Sequence, residues 1–200
     1  MKKYLAVFKS SFQDQFVYRL NFVIWRLRNV LRILMVFFLW KMIFVTQNTV
    51  FGYTNNQINS YILLSIIVLA VVWSAPSNDQ VSSQISNGEL SNFLLKPIDY
   101  LGYWLSRDWA SKVLNLLFSL GEVGLLLIVF KVNVSLSLNP IGLLMGFVLI
   151  IISSMIYFWI GKIAHYVSFW APENTWGMMF FVLVLVELFS GMLFPLNILP

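Results

Sequence analysis

The chain has 200 residues, of which 60% are hydrophobic, 17% aromatic and only 10% charged, with a net charge of +5 and a mean hydropathy of +0.82. A soluble domain is about 45–50% apolar and about 25% charged, so this composition excludes an ordinary water-soluble globule and makes lipid the solvent. The absence of cysteine excludes a disulfide framework and a Cys-based metal site, and the basic residues sit at the edges of apolar runs instead of forming a patch for nucleic acid.

The first stretch is amphipathic. Leu5, Phe8, Phe12 and Phe16 recur at spacings of three and four, with Lys2, Lys3, Lys9, Gln13 and Asp14 between them. That period predicts a helix over Met1 to Val17 with an aromatic face and a basic face. It is too polar to span a bilayer and suits the headgroup layer, phenylalanines toward the acyl chains. The alternative is a cytosolic helix packed on another part of the protein. The stretch has neither the uninterrupted apolar run nor the cleavage site of a secretory signal.

The first span is read from Phe22 to about Val45. Arg26, Arg28 and Arg32 interrupt its first half, and the fully apolar part, Ile33 to Trp40, is too short to cross alone. The helix must therefore use its arginine-bearing end, with the long stems reaching to headgroups. Thr46 to Asn59 carries no charge and reads as a short loop. The second span is about Ser60 to Ala75, stopped by Pro76.

Ile85 to Lys112 is the longest polar-rich interval, with Glu89, Lys96, Asp99, Arg107, Asp108 and Lys112. The third span is expected from Trp109 to Phe130. Lys131 to Asn139 is a connection closed by Pro140. The fourth span runs from Ile141 to about Ile163, extending toward Trp170. Ala171 to Asn174 is a turn and helix start, and the fifth span runs from about Trp176 to Phe194. The expected fold is an all-α polytopic membrane protein. It is one transmembrane domain over residues 1–200, with an interfacial helix in 1–20, a polar loop in 85–108 and five spans. Of the 13 Lys and Arg, only Lys41 and Lys131 fall on the side away from the N-terminus. The positive-inside rule thus predicts a cytoplasmic N-terminus, a cytoplasmic 85–112 interval and an outer C-terminus.

Inside that interval Gly88 permits a tight turn. Glu89 to Leu95 can form a short helix with Leu90, Phe93 and Leu94 on one side, the spacing of a helix that inserts into a partner's groove. Lys96-Pro97 ends it. The alternative is a helix lying on lipid.

Lys112, Asn115, Ser119 and Glu122 form a polar stripe along the third span, and Glu187, with Ser190 and Gly191 a turn later, marks the fifth. Ionisable residues within a span face the bundle interior or a water cavity. Glu122 is either a cation-attracting wall of a translocation path or a hydrogen-bonding group between spans. Glu187 either lines such a path or lies near the outer interface. Asn115 and Ser119 are path candidates beside Glu122. His165, the only histidine, gives no metal cluster and reads as a boundary residue near Lys162. Gly142 and Gly146 fit close helix packing. The 8 tryptophans fall mostly near span ends, as an aromatic belt. There is no Walker P-loop and no hydrolytic triad or carboxylate pair.

Ile85-Ser-Asn-Gly88-Glu89-Leu90, followed by Leu94-Leu95-Lys96-Pro97, resembles the G-x-L … LL-[KR]-P pattern of type-2 ABC exporter permeases. The likeness is to the bacterial subfamily of viologen- or multidrug-exporter-like permeases. The opening Lys2-Lys3-Tyr4 and Tyr18-Arg19-Leu20-Asn21-Phe22 are similar to it as well, and the resemblance covers essentially the whole chain. It implies a half-transporter in the cell membrane that exports a small compound, cationic or amphipathic. It also implies a second permease chain, identical or homologous, and two ABC ATPase subunits that hold ATP and Mg, with no cofactor in this chain. On that reading Gly88, Glu89, Leu90, Phe93, Leu94, Lys96 and Pro97 form the segment that couples to the ATPase. The family's pattern has six spans, and the sixth is not among those read here. A membrane-embedded enzyme or a scaffold without a transport cycle is the alternative. The enzyme would require His, Asp or Glu clustered at helical spacing, which the chain lacks. A secondary transporter would show related halves, and no repeat is visible.

Overall fold

The computed structural model describes residues 2–17, 19–73, 78–131, 139–191 and 194–198. The expected break at Pro76, Tyr18 of the opening motif and most of the Lys131–Asn139 connection lie outside them. Five helices are long and apolar enough to cross a membrane: Phe22–Thr46, Asn55–Val72, Tyr100–Phe130, Pro140–Phe169 and Pro172–Phe189. The protein is an all-α polytopic membrane protein.

Helix α1 (Lys2–Val17) and α2 (Arg19–Thr46) form where the periodicity places them. The loop expected over Thr46–Asn59 is shorter. Strands β1 (Thr49–Val50) and β2 (Tyr53–Thr54) make a small hairpin, turned by Phe51 and Gly52 at φ 52° and 81°. Helix α3 (Asn55–Val72) then starts at once. Gln57 explains this early start. Its Oε1 accepts from the Thr54 backbone N–H at 2.9 Å, closing the reciprocal cap of a T-x-x-Q sequence.

The expected loop from Ile85 to Lys112 is mostly helical. It holds the end of α4 (Asn78–Ser86), all of α5 (Leu90–Leu94) and the first turns of α6 (Tyr100–Phe130). Helix α6 starts at Tyr100, not Trp109, because Asp99 caps it: its carboxylate accepts from the Gly102 N–H at 2.6 Å. Polar residues at this end mark a helix leaving the bilayer. With 31 residues α6 is about 46 Å long against a hydrocarbon core of about 30 Å, so about three turns project on the N-terminal side. Helix α7 (Pro140–Tyr166) opens on Asn139, whose side chain accepts from Ile141, with Pro140 in the first turn. A 3-10 turn, Val167–Phe169, extends it as expected, and α8 (Thr175–Phe189) follows the turn Pro172–Asn174.

Helix α1 packs along α6. Tyr4 lies against Gly102, where an added Cβ would sit 2.7 Å from its ring. Farther along, Phe22 meets Phe118 at 4.8 Å and Phe37 meets Phe130 at 5.3 Å between ring centroids. The two partners advance together, so the α1–α2 path runs beside α6 in the same direction. In the row Phe8, Phe12, Phe16 the first pair stacks at 6.5 Å and the second meets tilted at 5.5 Å, and the row stays partly exposed.

Helix α3 is the centre of the bundle, touching α2, α6 and α7, while α8 packs on α7. In its span 33% of residues are buried, against 6% in those of α2 and α8. The exposed faces carry large apolar side chains such as Leu143, Leu144 and Phe147, as a lipid solvent requires. One core cluster lies at the hairpin end of the bundle, around Trp40, Val50, Ile58, Ile62 and Leu126. The other lies at the opposite end, around Val81, Trp104 and Phe158.

Candidate functional site

The α4–α5 turn depends on one glycine. Gly88 has φ +72°, a conformation that costs any other residue about 1–2 kcal/mol. Helix α5 is slightly shorter than the expected Glu89–Leu95 and differs in the face it presents. Phe93 is buried at 5% exposure, edge-on to Tyr100 and Tyr103 at 5.0 and 4.9 Å. It anchors α5 to α6 and is not available to a partner. The outward apolar pair is Leu94 and Leu95, at 66% and 85% exposure, with Leu90 half-buried. Glu89 and Lys96 are exposed at the rim, and the Lys96 ammonium sits 5.1 Å over the Phe93 ring. The Pro97 carbonyl accepts from Lys3 Nζ at 2.8 Å, tying α1 to the same segment.

Behind α5 lies a group of buried charges that the sequence reading missed. Asp108 and Lys112 pair at 2.9 Å with both side chains almost wholly buried, and Lys112 Nζ also donates to the Val72 carbonyl at 3.4 Å. The Lys162 ammonium lies 4.6 Å over the Trp104 ring and 5.1 Å over Phe158. His165 Nδ1 bonds to the Ser82 hydroxyl. Lys162 and His165 lie near the end of the fourth span, as expected, and both are buried there. The available signals were the i, i+4 pair Asp108–Lys112 and the i, i+3 pair Lys162–His165. What hid them is that their partners come from other helices. The cluster joins α3, α4, α6 and α7 at the end where α5 is attached.

Deeper in the bundle, two arginines pair with the two acidic residues of the spans. Arg26 meets Glu122 at 3.1 Å, donates to Asn115 Oδ1 as well, and lies between the rings of Phe22 and Phe118 at 5.4 and 5.1 Å. Arg32 meets Glu187 at 2.6 Å and stacks 5.3 Å over Trp73. Neither arginine reaches for headgroups as expected; only Arg28 lies exposed, over Trp25 at 4.8 Å. An unpaired charge among apolar helices costs several kcal/mol, which favours the inward pairing. Ser119 is buried and donates to the Leu116 carbonyl at 2.9 Å. Asn115 and Glu122 therefore tie α6 to α2, while the Ser119 bond stays within α6. A separate apolar groove of about 520 Å³ runs between α3, α7 and the end of α8, past Val68, Trp73, Tyr157 and Val186. Neither Glu187 nor the α6 stripe lines it. Among the described residues no group of three His, Cys, Asp or Glu could hold a metal ion.

A family model described as ABC-2 family transporter protein matches residues 30–200, taking in most of the first span, the four later ones and the α4–α5 segment. The chain belongs to the ABC-2 transporter family. No curated protein and no solved structure matches it. As an ABC-2 permease it is a membrane component of an ABC transporter, and membership implies an ABC ATPase partner. The exposed Leu94–Leu95 pair and the charge cluster behind it thus lie on a protein that works with a second, nucleotide-hydrolysing component.

Proposed function

We propose that this ABC-2 permease exports a small amphipathic compound across the cell membrane, driven by an ATPase that docks on residues 88–97 from the cytoplasm. The observation that supports docking there is a five-residue helix with two exposed leucines, clamped to α6 by Phe93. A force on Leu94 and Leu95 would pass through Phe93 to Tyr100 and Tyr103, and so to α6 and the charge cluster. Glu89 and Lys96 act as rim charges that orient the contact more than strengthen it. ATP and Mg stay on the ATPase. The apolar groove between α3, α7 and α8 suits an amphipathic compound better than a free cation, because Glu122 already has Arg26 as its counter-charge. A second permease chain, identical or homologous, would cover the sparsely buried faces of α2 or α8.

Leu94→Asp tests the docking. It places an unpaired carboxylate in a closing apolar contact, a cost of several kcal/mol. The variant is expected to insert normally and to lose the ATPase in pull-down from detergent extract, whereas Glu89→Ala keeps it. Full association and full export by Leu94→Asp would place the coupling contact elsewhere.

A further inference from the structure

Lys162 is a buried cation that only ring faces stabilise. It is 0% exposed and its Nζ has no hydrogen-bond partner; the rings of Trp104 and Phe158 lie against the charge at 4.6 and 5.1 Å. Ring faces return only part of what an ammonium loses on leaving water. Asp108 is the carboxylate that can complete it. It is equally buried, one turn along α6 from Trp104. Its Oδ2 pairs with Lys112, while its Oδ1 has no partner. Asp108 and Lys162 are close enough to act on each other electrostatically. Lys112 has a second acceptor in the Val72 carbonyl at 3.4 Å. One carboxylate thus stands between two buried ammonium groups, paired with the first and within the field of the second.

The two pairings tie α6 to different helices. In the observed one, Lys112 links Asp108 to Val72 at the end of α3. Pairing with Lys162 would tie α6 to α7 instead. Helices α3 and α7 form facing walls of the apolar groove. Rings also connect the cluster to α5. Phe93 touches Tyr100 and Tyr103, and these meet Trp104, on which Lys162 rests, at 6.0 and 5.3 Å. Packed interfaces move between discrete arrangements instead of deforming smoothly. We infer that Asp108 exchanges Lys112 for Lys162 during the ATP cycle of the partner, drawing α7 toward α6 and moving one wall of the groove. Lys162 is then a positioning residue, which acts through α7 and does not touch the transported compound. The exchange deepens the function proposed above and rests on it for the roles of the groove and of α5.

The test uses the co-purified permease–ATPase complex in lipid nanodiscs. The chain has no cysteine, so spin labels can be placed on single cysteines at Leu117 of α6 and Ile152 of α7, both exposed and outside the groove. Their separation is read by electron–electron double resonance, without nucleotide and after trapping with ATP and vanadate. The parent is expected to shift by about 2 Å, the size of helix movements at packed interfaces. Lys162→Met, similar in length and uncharged, is expected to lose the shift while still binding the ATPase. Because resting Lys162 has no bond to lose, the Met variant is also expected to be at least as heat-stable as the parent. The same shift in Lys162→Met, or no shift in the parent, overturns the exchange. So does a Met variant that is less stable or fails to fold, which would show Lys162 already satisfied at rest. Retention of the ATPase by Leu94→Asp would contradict only the docking on α5, since the α6–α7 distance is read whichever surface the ATPase uses.

Discussion

Replacing Arg26 with Gln probes the ion pair that joins the first span to the third. Arg26 and Glu122 are 12% and 14% exposed and 3.1 Å apart, so removing the guanidinium strands a carboxylate inside the bundle. Breaking a buried pair in this way costs about 3–5 kcal/mol. Glu122→Gln is expected to cost less, about 1–2 kcal/mol, because the remaining Arg26 keeps its bond to Asn115 and its place between Phe22 and Phe118. The double variant Arg26→Gln/Glu122→Gln should then be less damaged than the sum of the singles, by about 2 kcal/mol of coupling. Unfolding in mixed dodecylmaltoside–SDS micelles reads all three. Additivity within about 0.5 kcal/mol would refute the pairing, as would an Arg26→Gln variant as stable as the parent. The pair Arg32–Glu187, 29% and 31% exposed, is more open to solvent and is expected to respond more weakly in the same assay.

Gly102→Leu drives a side chain into the Tyr4 ring, an overpacking of about 1–3 kcal/mol. Helix α1 should lift from α6, and trypsin should cut at Lys9 faster than in a Gly146→Leu control, where nothing lies within 4 Å. Equal cleavage of the two would contradict the packing of α1. For topology, single cysteines at Asn55 and Asn92, both exposed, are expected to differ toward an impermeant thiol reagent on intact cells. Asn55 should label and Asn92 should not, and the reverse pattern would invert the orientation.

The five spans and α1 were legible because apolar runs and a 3.6-residue period are local properties. Boundaries failed where a polar residue had two meanings. Arg107 and Asp108 looked like loop residues, yet they lie in a helix that Asp99 starts, and Asp108 is buried in a pair with Lys112. Gln57 was passed over as part of a loop, although it sits at the third position after a capping threonine. In the 88–97 segment, spacing put Leu90, Phe93 and Leu94 on one side, but spacing does not say which side α6 covers. Tyr100 and Tyr103 take Phe93, and Leu95 joins Leu94 on the open side. The arginines were expected to reach the headgroups because their partners are remote in sequence. Arg26 and Glu122 are separated by 96 residues, and Arg32 and Glu187 by 155. No local pattern links residues so far apart.

The account stands most directly on contact between the ATPase and the outward face of α5. A photo-crosslinking amino acid placed in turn at Leu94, Leu95, Phe93 and Leu143 would map that contact in the co-expressed complex. Crosslinks to the ATPase are expected from positions 94 and 95, with none from Leu143, which faces lipid, and few from Phe93, which is packed on Tyr100 and Tyr103. A complex that forms with no crosslink from either 94 or 95 would contradict the account.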